Sequence, residues 1–178
     1  VILTPNFIED LTLSVDWYNI EVDDAISSIE AETTLLQCIE TGTFCNLVGR
    51  GTNDSLWLGL AEPGNGVSAQ TQNIGYFETT GIDVEFTYNL DVGEWGSLTF
   101  INIFGYVDEW KQEEYSGAGE VSCEGTYGGS CGQPIPEIKN RFSATWATPW
   151  DVTLNLNWRY IDGVDQEFTS NPIDIDEQ

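Results

Sequence analysis

Between Gly81 and Tyr106 the chain alternates apolar and polar residues along two stretches joined by a short turn. Ile82, Val84, Phe86, Tyr88 and Leu90 alternate with Asp83, Glu85, Thr87 and Asn89. Successive side chains of a strand point to opposite faces, so this spacing predicts one apolar face and one polar, acid-bearing face. Gly93 and Gly96 punctuate the turn at 91–96, and a second strand resumes at Ser97 and continues past Phe104. Its pattern is less clean. Leu98, Phe100, Phe104 and Tyr106 share a face that Asn102 interrupts, while Ile101 and Ile103 lie opposite. A lone hairpin does not bury a face of this size, so another sheet or lipid must cover it.

The same period recurs elsewhere. Pro5 and Asn6 break the chain at 4–10, and Leu11, Leu13, Val15 and Trp17 then alternate with Thr12, Ser14 and Asp16. After Trp17 the parity flips to Tyr18, Ile20 and Val22. Either a β-bulge adds one residue there, or the strand leaves its apolar surroundings and both faces are wet. Phe142, Ala144 and Trp146 oppose Arg141, Ser143 and Thr145, and after a tight turn at 148–151 a strand follows from Val152 to Tyr160. There Val152, Leu154, Leu156, Trp158 and Tyr160 oppose Thr153, Asn155, Asn157 and Arg159. Residues 25–40 abandon the period of two. Ile26, Ile29, Thr33, Leu36 and Ile39 form a helical stripe, which predicts a short helix. Residues 41–78 read as a long loop, with short strands expected at 56–60 and 73–77.

Short turns before residue 11, at 91–96 and at 148–151 alternate with long connections at about 24–79, at 107–138 and from 161 onward. In five up-and-down strands, every short turn falls on one side and every long loop on the other. Transmembrane β-barrels sort their connections this way, and soluble sandwiches have no reason to. Trp17, Tyr18, Tyr88, Trp95, Tyr106, Trp150, Trp158 and Tyr160 mark strand ends, as interfacial girdles do. The expected fold is therefore all-β, with about five long antiparallel transmembrane strands. The competing fold is a soluble sandwich with aromatic cross-strand pairs.

Charge narrows the partners. The chain has 178 residues, 5 Lys and Arg against 30 Asp and Glu, and a net charge of −25. That balance excludes a nucleic-acid partner and adsorption to anionic headgroups. Mean hydropathy is −0.21, with no apolar run long enough for a membrane helix. A barrel also looks hydrophilic on such a scale, because every second residue faces inward.

Cys38 with Cys45, and Cys123 with Cys131, form two close pairs. Zinc sites favour tighter spacing and histidine, and the chain has no His. Two loop staples fit best, which implies an oxidising compartment; four reduced thiols are the alternative. The absence of His also removes Ser-His-Asp and Cys-His catalysis. Asp83 and Glu85 mimic a catalytic carboxylate pair but read more simply as a hydrated wall, with Thr87 and Asn89 beside them. Asp108–Glu109 and Glu113–Glu114 are the acidic-loop candidates for structural Ca²⁺, without EF-hand spacing; no other cofactor or metal is expected. Gly117–Gly132 is glycine-rich but lacks a P-loop Lys.

The segments LTLSVDWYNIEVDDAI (11–26), Cys38…Phe44-Cys45…Arg50, TTGIDVEFTY (79–88) and NWRYIDG (157–163) together resemble the C-terminal barrel region of TonB-dependent receptors, over nearly the whole chain. The resemblance implies an excerpt of a 22-stranded up-and-down barrel that surrounds a plug in the Gram-negative outer membrane. It implies no enzyme. On that reading residues 1–178 are a partial barrel domain without the plug. Its partners are membrane lipid, the rest of the barrel and plug, an inner-membrane energy-coupling complex, and a small-molecule or oligosaccharide ligand. The expected function is capture of a scarce nutrient, such as a siderophore or carbohydrate, for energy-coupled import. Asp83, Glu85, Thr87 and Asn89 are then lumen-facing. Trp57, Trp110, Tyr115 and Tyr127 are the candidate ligand-binding residues, since aromatics beside acids and amides suit sugar rings or metal chelates; aromatics that merely pack the loops are the equal alternative. The alternatives are a secreted β-sandwich that binds carbohydrate and an outer-membrane barrel enzyme.

Overall fold

The computed structural model describes residues 1–51, 54, 66–69 and 71–167. The elements in order are β1 (Ile2–Leu3), β2 (Leu11–Ser27), α1 (Ala31–Glu40), β3 (Val48–Gly49), β4 (Gly66–Val67), β5 (Gln72–Asp91), β6 (Ser97–Glu113), β7 (Val121–Ser122), β8 (Thr126–Tyr127), β9 (Ile138–Ala147), β10 (Thr153–Ile161) and β11 (Asp165–Gln166). One sheet runs β1-β2-β5-β6-β9-β10, with β7 pairing off β6. Neighbours in space are neighbours in sequence, so the five long strands form an up-and-down meander.

Strand lengths carry information. β9 has 10 residues and β10 has 9, close to the roughly 9–11 that cross a bilayer when tilted. β2, β5 and β6 have 17, 20 and 17 residues and outrun that length. Two expectations change as a result. The stretch 73–77 is not a separate strand within a loop; it opens β5. The second long connection begins only after Glu113, and β7 folds back on β6, pairing Val121 with Gln112 and Ser122 with Lys111. The expected strand at 56–60 lies outside the described residues.

The chain divides into two compact units. The first comprises Val1–Glu21, Phe77–Gln112 and Glu120–Gln178. Its register fixes two chemically distinct faces. Leu98, Phe100, Asn102 and Phe104 pair with Trp146, Ala144, Phe142 and Asn140 of β9, and these pair with Leu154, Leu156, Trp158 and Tyr160 of β10. Tyr88 stacks on Phe100 and Phe100 on Phe142, each pair with ring centroids 6.3 Å apart. This is the apolar face, and it is uncovered: Leu154, Leu156 and Trp158 are 53, 64 and 52 % exposed. At the short-turn end, Trp150 meets Trp95 and Trp146 edge-on, and Trp146 Nε1 donates to the Trp95 carbonyl at 2.8 Å.

The opposite face holds hydrogen bonds instead. Asn155 Nδ2 donates to Thr145 Oγ1 at 2.6 Å, Asn157 donates to Asn155, and Thr99 Oγ1 donates to Asn89 Oδ1 at 2.8 Å. Asp83 lies on this face against Gly105. Asn102 and the Ile101/Ile103 pair keep the inverted parity read from sequence: Asn102 pairs with Phe142, and Ile103 pairs with Arg141. The Tyr18 hydroxyl covers buried Gly81, where an added Cβ would overlap it and the Tyr106 carbonyl. Gly81 shares parity with Asp83, so Tyr18 belongs to the polar face. β2 runs unbroken through residues 17 and 18, and the parity flip marks apolar residues moving to that face.

The second unit comprises Val22–Tyr76 and Glu113–Gly119. It contains α1, which begins later than the 25–40 window because β2 continues to Ser27. The helix exists, but its apolar stripe does not decide its orientation. Of the stripe, Ile29 just before the helix is buried, but Ile26 on β2 and Leu36 and Ile39 on α1 are exposed, Ile39 at 80 %, while Thr34 is fully buried. Cys38 is tied to Cys45 by a disulfide, and the tether turns the face of Thr34 and Cys38 inward. β3 and β4 form a small antiparallel pair, Val48 with Val67 and Gly49 with Gly66.

Candidate functional site: the stapled loops

The driest parts of the molecule are loops. Among the described residues the buried apolar side chains are Ile29, Tyr115, Cys123, Cys131, Ile135 and Val164, and none lies in a long strand. In the first unit a disulfide joins Cys123 to Cys131. Those two and Ile135 form a core against which Trp110 and Val121 pack.

Main-chain bonds hold this loop to the end of β6. Cys123 N donates to the Trp110 carbonyl at 2.7 Å, and Trp110 N donates to Glu124 Oε2 at 3.1 Å. Gly125 N donates to the Ile135 carbonyl and Ile135 N to that of Thr126, which closes the loop on itself. Gly125 adopts φ +66, a left-handed conformation open to glycine without strain. The segment after β10 then docks alongside. β11 pairs in parallel with β8, Asp165 with Thr126 and Gln166 with Tyr127. Glu167 completes the latch: its Oε2 accepts from Ser130 N at 2.9 Å and Cys131 N at 3.1 Å. A carboxylate that accepts two backbone amides makes charge-assisted bonds, roughly twice as strong as neutral ones.

In the second unit, Phe44 stands just before Cys45 with φ 63, which costs a bulky residue strain. Its ring meets Tyr115 edge-on at 5.0 Å. Glu113 Oε1 accepts from Gly117 N and Gly119 N, both at 3.0 Å, and so orders that loop.

The four candidate ligand-binding aromatics separate on inspection. Trp57 lies outside the described residues. Trp110 packs on the Cys123–Cys131–Ile135 core and meets Phe77 edge-on at 4.6 Å. Tyr115 is 8 % exposed. Tyr127 is half-buried on β8, where its carbonyl accepts from Glu167 N at 2.8 Å. The structure thus uses Trp110 and Tyr115 as packing residues in separate units. Sequence reasoning missed Phe77, Phe44, Glu124 and Glu167. Glu124, next to Cys123 in an acidic loop, gave a weak signal; Glu167 gave none.

Three of the four acids weighed as Ca²⁺ ligands, Asp108, Glu109 and Glu113, are engaged by the protein. Lys111 Nζ donates to Glu109 Oε1 at 3.1 Å, and the Tyr106 hydroxyl donates to Asp108 Oδ1 at 3.3 Å. The Glu109 hydrogen bond and charge hold the Lys111 ammonium above its ordinary range. Among the described residues no group of three or more His, Cys, Asp or Glu side chains converges as a metal site would. The polar face presents Asp83, Glu85, Thr87 and Asn89 along one strand, separate from these loops.

Comparison with known proteins agrees with this architecture. Neither the curated proteins nor the solved structures returned a match. The profile of the TonB dependent receptor-like beta-barrel matches residues 5–176. A long antiparallel meander with one face uncovered, long connections at one end and a profile match along nearly its whole length place this chain in the TonB-dependent receptor β-barrel family.

Proposed function

We propose that the chain supplies part of the wall and of the ligand-capturing loops of an importer for a scarce nutrient that carries no net negative charge, a carbohydrate first and a siderophore-type chelate second. The family consists of energy-coupled transporters of the Gram-negative outer membrane, not enzymes. The observation that carries the wall assignment is the inverted burial. The sheet leaves its apolar face open while the loops pack their own cores. A secreted sandwich would bury that face against a second sheet. Lipid is the remaining cover.

The ligand class follows from charge. From residue 107 to 138, the end of β6 and the loop that follows hold Asp108, Glu109, Glu113, Glu114, Glu120, Glu124 and Glu137 against the single cation Lys111. Such a field repels bare anions and lowers their encounter rate. Neutral sugars lose nothing by it, and their rings stack on aromatic faces such as the half-buried Tyr127. On this reading Asp83, Glu85, Thr87 and Asn89 line the hydrated interior, and Trp110 and Tyr115 shape the loops that carry the contact residues.

Uptake of labelled ligands by cells producing the intact protein tests this. The expected result is accumulation of a neutral oligosaccharide that stops when the inner membrane is de-energised. Accumulation that persists in de-energised cells, or a preference for a bare polyanion, would overturn it.

A further inference from the structure

The two disulfides differ in what surrounds them. Cys123 is fully buried and Cys131 almost so, within the core they share with Ile135. Cys45 is exposed and Cys38 half-buried, so solutes reach their bond. That bond closes the end of α1 into a short ring with two left-handed residues, Gly42 at φ 76 and Phe44 at φ 63. Glycine takes that conformation freely, while a bulky residue holds it only when its surroundings force it. Two constraints frame Phe44. The Cys38–Cys45 link fixes the residue that follows it, and Leu47 N donates to the Phe44 carbonyl at 2.9 Å. The strained backbone sets the Phe44 ring edge-on against buried Tyr115. Tyr115 stands at the base of a loop that Glu113 Oε1 ties through Gly117 N and Gly119 N. All of these groups belong to the second unit.

We infer that Cys38–Cys45 is a redox-sensitive catch: reduction by a low-molecular-weight dithiol lets Phe44 leave its left-handed conformation and uncovers Tyr115. A thiolate of the reductant attacks Sγ of exposed Cys45. The S–S bond breaks, and Cys38 leaves as a thiolate that takes a proton from water. The second thiol of the reductant then attacks the mixed disulfide and releases Cys45 as a thiol. The protein disulfide has gained two electrons and two protons, and the reductant departs as its own disulfide. With the ring open, the constraint on φ at Phe44 is gone, and the residue relaxes to the extended or right-handed backbone that bulky side chains prefer. That rotation carries its ring off Tyr115. Cys123–Cys131 serves the opposite purpose, since burial shields it and Glu167 holds the Cys131 amide in place. The catch stands on this geometry alone. Its bearing on ligand capture, the exposure of a tyrosine able to stack on a sugar ring, rests on the reading of these loops as ligand-capturing.

Graded reduction of the intact protein in detergent with dithiothreitol tests it, with alkylation of the freed thiols and hydroxyl-radical oxidation of Tyr115 both mapped on peptides. Cys38 and Cys45 are expected to be alkylated at concentrations that leave Cys123 and Cys131 linked. Oxidation of Tyr115 should rise several-fold in step with that alkylation and fall back when the disulfide is re-formed, which separates a catch from lasting unfolding. The Cys38→Ser/Cys45→Ser variant should expose Tyr115 without reductant, and Phe44→Ala should expose it with the disulfide intact. Alkylation of Cys123 and Cys131 at the same or lower concentration overturns the inference. So does a Tyr115 that stays protected once Cys38 and Cys45 are alkylated. Failure of every form to bind a labelled neutral oligosaccharide would instead sink the proposed ligand class, a result independent of the alkylation and of the Tyr115 footprint.

Discussion

The wall strand β10 and the stapled loop that rises from β6 belong to the same compact unit, yet they solve opposite problems. β10 keeps Leu154, Leu156 and Trp158 more than half exposed, and the sheet draws its order from ladder bonds and from whatever covers it. The loop buries Cys123 completely and Cys131 and Ile135 almost so. The difference is one of solvent. In lipid an apolar side chain is already at home, and the strict demand is that every backbone group be paired, which a continuous ladder meets. In water a loop must build its own core, and 15 or so residues bury too little for that. The disulfide and the Glu167 latch supply what the small core lacks. A region's burial pattern therefore reports what surrounds it as much as how well it folds.

Reversing the chemistry of the wall should give the largest effect. Leu156 lies on the apolar face opposite Ala144, and Asn157 lies on the polar face opposite Ser143. Leu156→Arg is expected to cost about 2–4 kcal/mol if that site is near the bilayer midplane. Asn157→Arg, one residue on, should cost far less. Urea unfolding of the intact protein in lipid vesicles measures both. Equal losses at the two positions, or a larger loss at 157, would break the assignment of faces and with it the contrast between wall and loop.

The loop has a different weak point. Replacing Cys123 and Cys131 by Ser leaves the ladder of β9 and β10 untouched but opens the ring that frames the core. For a ring this small the chain-entropy model assigns the disulfide roughly 2–3 kcal/mol of loop order. Hydrogen exchange should show faster exchange at the amides of Gly125 and Ile135, which bond within the loop, and at those of residues 123 and 131, which bond to Trp110 and Glu167. Amides of β9 and β10 should be unchanged. Unchanged exchange in the loop would remove the disulfide's role there, and exchange spreading into β9 would show that the two regions share one core after all.

How far the sequence revealed this arrangement depended on which solvent each residue meets. The five long strands and their alternating short and long connections were legible because period two and turn residues are local signals. So were the disulfides, since each pair closes a short ring. Strand ends were not. Above the bilayer both faces are wet or packed, alternation lapses, and residues 73–77 looked like a short separate strand within a loop although they open β5, which starts at Gln72. The helix at 31–40 was legible as a helix but not in its facing, because Cys38 is anchored to Cys45 and overrides the stripe of Leu36 and Ile39. Trp110 read equally as a ligand-binding or a loop-packing aromatic, and neighbours distant in sequence decide for packing. Glu167 had no local signal at all; its role exists only through Ser130 and Cys131.

The smallest effect is electrostatic and belongs to the foot of the loop. Lys111 pairs in register with Ser122 of β7, beyond the membrane-crossing length of β6, and donates to Glu109. The hydrogen bond to Glu109 first, and its charge second, raise the Lys111 pKa above its ordinary 10.5, against a small opposing effect of burial. A cation whose pKa is higher in the folded state binds its proton more tightly there. Its contribution is therefore fully present below about pH 10.5 and is lost as the pH rises through the folded value. Both side chains are partly open to solvent, at 28 % and 44 %, so screening keeps the effect slight. Trp110, next in sequence, gives a fluorescence signal for opening of the loop. Thermal opening of the wild type against Lys111→Gln should show a small advantage for the wild type at pH 9, lost as the pH rises through the raised Lys111 pKa and reduced at 1 M salt. An advantage that grows with pH would mean that Lys111 holds the loop by packing its stem rather than by its charge.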